Sequence, residues 1–138
     1  MKIEEIENEI IDEFGVYDDW MDKYEYIIEL GKDLDLIQEA NKTDDKLIKG
    51  CQSRVWLDSE MKDGVLKFYA DSDAIITKGI ISLLLRVFSG QKPEDIVTAD
   101  LDFIDKIGLQ EHLSPTRANG LLSMVKQIKL LALQNVEK

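Results

Sequence analysis

Cys51 is the only cysteine in the 138-residue chain and the residue best suited to covalent chemistry. A lone thiol cannot close an internal disulfide, and with His112 as the only histidine no Cys/His zinc set can be assembled. Its neighbours Lys49, Gly50, Gln52, Ser53 and Arg54 do not form the apolar run of a core strand. Gly50 frees the backbone to turn, so the thiol is expected on a loop or strand entry, where it can be presented to another molecule. Lone cysteines are more often small buried hydrophobes, and the residues alone leave both a functional and a structural thiol open. Asp71 and Asp73 could form a paired-carboxylate site, although capping of a following helix explains them more simply. Arg117, just after Ser114-Pro115-Thr116, could hold an anion, lower a thiol pKa or be a surface charge. His112 has no second histidine to work with and reads as structural. No glycine-rich phosphate loop or serine nucleophile elbow occurs.

These residues must be positioned by the elements around them. Ile3, Ile6, Ile10 and Phe14 recur at helical spacing, and Gly15 ends that first helix. Asp18 or Asp19 caps a second helix whose apolar face is Trp20, Tyr24, Ile27 and Ile28. Residues 41–49 read as an exposed polar connection, apart from Leu47 and Ile48. Val55, Leu57 and Ser59 then alternate with Arg54, Trp56 and Asp58, predicting a strand. Lys62-Asp63-Gly64 is a turn signal and Val65 to Ala70 the returning strand, which completes a β-hairpin. Asp71-Ser72-Asp73 is expected to cap a helix through Ile75, Ile80, Leu84 and Val87, apolar on more than one face and so the most buried, with Gly79 allowing close approach of another element. Gly90 closes it. Pro93 opens a short helix, Leu101 to Ile107 another, and Ser114-Pro115-Thr116 a long final one. The sum is an α+β fold, a small hairpin-based antiparallel sheet covered by several helices, in one domain spanning 1–138.

Composition narrows the function. Twenty-eight acidic residues against 17 basic give a net charge of −11, which disfavours nucleic acid and anionic membranes, since both bind through Lys/Arg. Acid concentrated in the first third could steer the chain towards a basic protein patch, or could simply keep a helix face solvated. The longest apolar run, Ile80-Ile81-Ser82-Leu83-Leu84-Leu85, suits a buried helix face rather than a membrane span. The start Met1-Lys2-Ile3-Glu4-Glu5 has no targeting character, so a cytoplasmic protein is expected.

At Cys51 a family resemblance enters. Gly50-Cys51-Gln52-Ser53-Arg54-Val55-Trp56 resembles the G-C-Q-S-x-V-W signature of the SufE family of sulfur acceptors. Four more segments are similar to SufE motifs in the same order: Trp20 to Gly31 (W-x-x-K-Y-x-Y-I-I-E-L-G), Asp71-Ser72-Asp73-Ala74 with Lys78-Gly79, Pro93 to Val97 (P-x-D-I-V), and His112 to Arg117 with Gly120-Leu121. The acidic first helix and Asn119 depart from the pattern.

The resemblance implies a SufE/IscU-like fold with the acceptor cysteine on a loop tip. It implies that Cys51 takes a sulfane sulfur from a cysteine desulfurase of SufS type, stimulates that enzyme, and delivers sulfur to a SufBCD-like iron–sulfur scaffold. Arg117, His112 and Asp73 fall on motif positions and would support the site. Pyridoxal phosphate would belong to the desulfurase, with no cofactor or metal on this chain; whether the chain itself counts as an enzyme, and whether it forms a homodimer, stays open. A single thiol suits a carrier, because a nearby second cysteine would discharge a persulfide as a disulfide. The rival readings are an acidic non-catalytic adaptor with a structural Cys51, and a redox sensor whose Cys51 forms a sulfenic acid.

Overall fold

The computed structural model describes residues 2–136. Two strands, β1 (Val55–Lys62) and β2 (Val65–Ser72), pair in antiparallel register from Val55↔Ser72 to Lys62↔Val65. Asp63 and Gly64 close the hairpin, with φ of 54° and 85°, the left-handed pair that a two-residue turn demands. Side-chain alternation puts Val55, Leu57, Leu66, Phe68 and Ala70 on the buried face.

Against that face lies α3 (Ile75–Phe88), buried on nearly every side as its apolar sequence predicts. Helix α2 (Trp20–Leu30), capped by Asp19 accepting from the Asp22 amide at 2.9 Å, crosses α3 at close range. The crossing depends on Gly79, because a Cβ there would sit 2.1 Å from the Ile27 carbonyl oxygen. Helix α1 (Ile3–Gly15) buries Ile10 and Phe14. It is tied to α3 by Arg86, which donates to both Glu13 carboxylate oxygens, and to α2 by the Tyr26 hydroxyl, which also donates to Glu13.

The second half of the chain is helical. Helices α4 (Pro93–Thr98), α5 (Asp102–Lys106) and α6 (Leu109–His112) lead into α7 (Pro115–Asn135). Gly108, at φ 72°, separates α5 from α6, a short helix that the sequence pattern does not signal. Ser114 caps α7 by accepting from the Arg117 amide at 3.3 Å, and Pro115 occupies its first turn. The result is the expected α+β arrangement of a two-stranded antiparallel sheet under a helical cover.

One expectation is corrected. Asp71-Ser72-Asp73 does not cap α3: β2 continues through Ser72, and the N-cap residue is Ala74, with no side-chain capping bond. The carboxylates are engaged elsewhere. Asp71 accepts from the Lys42 ammonium at 2.6 Å and lies 3.4 Å from that of Lys78, while Asp73 accepts from the Arg54 amide at 3.0 Å. Asp71 is held in β2 and the Asp73 carboxylate is taken by the Arg54 amide, so neither caps the helix, and the Ser72 hydroxyl instead accepts from the Ala74 amide at 3.3 Å.

Candidate functional site around Cys51

The hairpin also shapes the cysteine loop. Leu47 bridges Trp56 in antiparallel fashion, and the Ile48 amide donates to the Val55 carbonyl at 2.8 Å. These bonds close the ends of a short loop, so residues 49–54 form a tip standing on the sheet. Asp73 reinforces the descending side: its carboxylate takes the Arg54 N–H, and its own amide donates to the Arg54 carbonyl at 3.2 Å. On the ascending side, Lys42 is pinned to Asp71 and lies 5.3 Å from the centre of the Trp56 ring. Gly50 adopts φ 93°, and a Cβ on it would come within 2.5 Å of the Ser123 hydroxyl on α7. Both the backbone conformation and the space therefore require glycine next to the thiol.

Cys51 is half-buried. Its S–H donates to the Gly120 carbonyl, 3.6 Å away, and its side chain faces a pocket of about 50 Å³ walled by Thr77 and Ile80 of α3 and by Thr116, Arg117, Gly120 and Met124 of α7. Positions 116, 120 and 124 share one stripe of α7. The missing side chain of Gly120 brings helix backbone against the thiol, since a Cβ there would stand 3.5 Å from the sulfur. A pocket this small excludes a small-molecule substrate, for which roughly 300–1,000 Å³ is usual, but it accommodates an atom or two beyond the thiol. Burial pushes the Cys51 thiol above its ordinary range. That burial favours the thiol and disfavours the nucleophilic thiolate, which a less buried or more positive setting would favour.

The other sequence-predicted residues divide. Arg117 does come to the pocket wall, held in the first turn of α7, and its Nη1 donates to the Tyr24 hydroxyl at 2.7 Å. Asp73 stands at the base of the loop rather than in the pocket. His112 does not line the pocket: its ring stacks on Trp20 with centroids 4.1 Å apart, and its Nδ1 lies 3.0 Å from the Gly108 carbonyl oxygen, which assigns the proton to Nδ1. Trp20, Tyr24, His112 and Arg117 thus join the second helix to the start of the last. Gly120, Thr77, Ile80 and Met124 escape sequence reasoning as neighbours of Cys51, and Ser123 as a neighbour of Gly50, although Gly120 belongs to the His112–Leu121 segment that carries the resemblance.

Among the described residues no group of three or more His, Cys, Asp or Glu side chains is placed to hold a metal ion, and no helix is long and apolar enough to cross a membrane. The chemistry available is that of one sheltered thiol on a constrained loop.

Comparison with known proteins places the chain in a family. An uncharacterized SufE-like protein of Rhizobium meliloti (strain 1021) is 44% identical over 127 residues, covering 88% of this chain and 91% of the relative. A second, from Rhizobium etli, is 41% identical over 127 residues, covering 88% and 86%. The solution structure of a hypothetical protein from Thermus thermophilus superposes with a TM-score of 0.80 across 96% of this chain and 97% of that one, at 16% identity, a likeness of fold alone. Residues 8–132 match the model of the SufE family, described as an Fe-S metabolism associated domain, and the chain belongs to that family.

Proposed function

We propose that the protein is a sulfur carrier: Cys51 accepts a sulfane sulfur from the persulfide of a SufS-like, pyridoxal-phosphate-dependent cysteine desulfurase in the cytoplasm, stimulates that enzyme, and passes the sulfur to a SufBCD-like scaffold. The observation that carries this reading is the fit between thiol and pocket: one half-buried cysteine at a loop tip, with space beside it for an atom or two.

The step balances without an external oxidant or reductant. The Cys51 thiolate attacks the terminal sulfur of the donor R–S–SH, a new S–S bond forms as the old one breaks, and the donor leaves as R–S⁻, giving Cys51–S–SH. The thiol proton passes to solvent or to a base of the partner. Because burial favours the protonated form, the loop must leave its pocket, or the partner must supply stabilising charge, before attack. This coupling keeps a reactive thiolate from standing exposed to oxidants between partners. It also weighs against the sensor reading, since sensor cysteines are low-pKa and open to solvent.

The test is intact-mass measurement after mixing the protein with a cysteine desulfurase and free cysteine in the absence of reductant. A gain of one or more sulfur atoms, reversed by reductant and absent from Cys51→Ser, is the expected result. An unchanged mass beside a demonstrably active desulfurase would sink the carrier reading and favour a non-catalytic adaptor.

A further inference from the structure

Three cations flank the Cys51 loop, and all three are exposed. Lys49 lies two residues before the thiol, Arg54 three residues after it, and Arg117 on the pocket wall. Two of the chain's three arginines are here. Among the described residues none of these side chains enters an ion pair, whereas Lys42, Lys46, Lys78 and Arg86 all do. Asp73, the carboxylate bonded to the loop, is engaged by the Arg54 backbone amide, not by the Arg54 guanidinium. Elsewhere the balance reverses: the chain as a whole carries −11, and the groove between α1 and the α4–α5 segment sets Glu4, Glu7, Asp95, Asp100 and Asp102 against Lys2 and Lys106.

Cations beside a thiol often serve to lower its pKa. Here burial pushes the thiol up, and the three cations are instead a feature of the exposed surface around the tip. Nucleic acid is not the answer for so acidic a chain. We propose that Lys49, Arg54 and Arg117 form a cationic collar that docks the Cys51 tip onto an acidic protein surface around the persulfide of the sulfur donor. This rests on the carrier reading and adds the charge of the partner's docking surface. A local positive collar on an otherwise negative molecule orients the encounter as well as attracting it, because the remaining surface is repelled by the same acidic patch. Being exposed, the collar acts chiefly on the association rate.

The experiment is stopped-flow association of the full chain with the desulfurase, followed as a function of salt. Lys49→Glu/Arg54→Glu is compared with wild type and with Lys62→Glu/Lys67→Glu, an equal charge change at the far, turn end of the hairpin. At ~20 mM salt the collar variant should associate at least about tenfold more slowly than wild type, the gap should close as salt rises towards ~0.5 M, and the control pair should stay within about twofold. Thermal melts confirm that both variants fold. Equal slowing of both variants, or none in the collar variant, overturns the collar. Wild-type mass gain in the same mixtures reports separately on the carrier reading: a loaded wild type with an unaffected collar variant discards the collar alone. Docking without any mass gain discards sulfur transfer and leaves the rate comparison as the measure of the collar.

Discussion

The Cys51 thiol and the Gly120 backbone are direct partners, with sulfur and carbonyl oxygen 3.6 Å apart and no side chain on the helix to hold them off. Gly120 lies inside α7, where glycine costs roughly 1 kcal/mol relative to alanine. A Cβ there would stand 3.5 Å from the sulfur, in ordinary contact, so Gly120→Ala can fold without displacing the loop. The methyl would, however, occupy part of a pocket of only about 50 Å³. Gly120→Ala should therefore melt at a slightly higher temperature, by up to about 1 kcal/mol of added stability, while loading sulfur on Cys51 several-fold more slowly. Thermal melts beside a mass-spectrometric time course separate the two effects. Unchanged loading in a stabilised variant would mean that the pocket is not needed for the transferred sulfur.

A second glycine has the opposite consequence. The Cβ of Gly79→Ala would be driven to 2.1 Å from the Ile27 carbonyl oxygen, a backbone atom that cannot swing away. Helices α2 and α3 would have to separate, and Gly31, packed against Gly79 on the same seam, would move with them. The expected cost exceeds about 3 kcal/mol, beyond the gain in helix propensity. Urea denaturation should show a large drop in midpoint, and a near-wild-type midpoint would show that the seam yields easily.

Such close approaches mark where sequence reading succeeds and where it stops. The hairpin is legible because alternation of Val55, Leu57, Phe68 and Ala70 and the Asp63-Gly64 turn are local signals. Helix α3 is legible from its continuous apolar character, and even the close contact at Gly79 follows from a glycine inside a core helix. Asp71 and Asp73 mislead because their position just before a helix suits a cap. Nothing local reveals that Lys42, 29 residues earlier, claims one carboxylate and the Arg54 amide the other. The pocket is out of reach for the same reason. Cys51 and Gly120 are 69 positions apart, and a contact of that kind has no periodicity to announce it. Cys51 itself is found through its motif, whereas the burial that pushes its thiol up follows only from the fold. His112 shares a motif with Arg117, but it follows Trp20 away from the thiol.

Acidic groups on α1 predict two opposite responses to pH. Burial and the carboxylates of Asp100 and Glu4 push Glu7 up to about 6, and its Oε2 is enclosed without a hydrogen-bond partner. A carboxylate raised in the folded state opposes folding when ionised, so this contribution improves as pH falls from above 6 towards the ordinary 4.5. Glu13 is held below the ordinary range by its bonds to Arg86, so its stabilisation is present at neutral pH and is lost on further acidification through its lowered pKa. Glu7→Gln should stabilise the protein at pH 7 by about 1 kcal/mol, the shift being discounted for partial solvent access, and this advantage should shrink through pH 5 and vanish only below the ordinary 4.5, where the carboxyl is protonated in both states. Chemical denaturation across this pH range checks it. An advantage that is constant with pH would point to lost repulsion or better packing, not to the titration of Glu7.

Release of Cys51 should be governed from the base of its loop. The Asp73 carboxylate holds the Arg54 amide at 3.0 Å, and this bond together with the Ile48–Val55 pair fixes where the tip can move. Asp73→Ala removes the acceptor, whereas Asp73→Asn keeps a side-chain oxygen that can still take the N–H. Since the thiol is sheltered and pushed up by burial, iodoacetamide should alkylate wild-type Cys51 more slowly than a free cysteine at neutral pH, with a rate that climbs with pH. Asp73→Ala should raise the neutral-pH rate several-fold, Asp73→Asn much less, with both losing no more than about 1 kcal/mol of global stability because the bond is exposed. Adding the desulfurase should accelerate alkylation of wild type more than that of Asp73→Ala, whose loop is already loosened. Identical rates for all three proteins would place the restraint on Cys51 in the Gly120 contact and the pocket wall alone, leaving Asp73 as a fastening of the sheet edge.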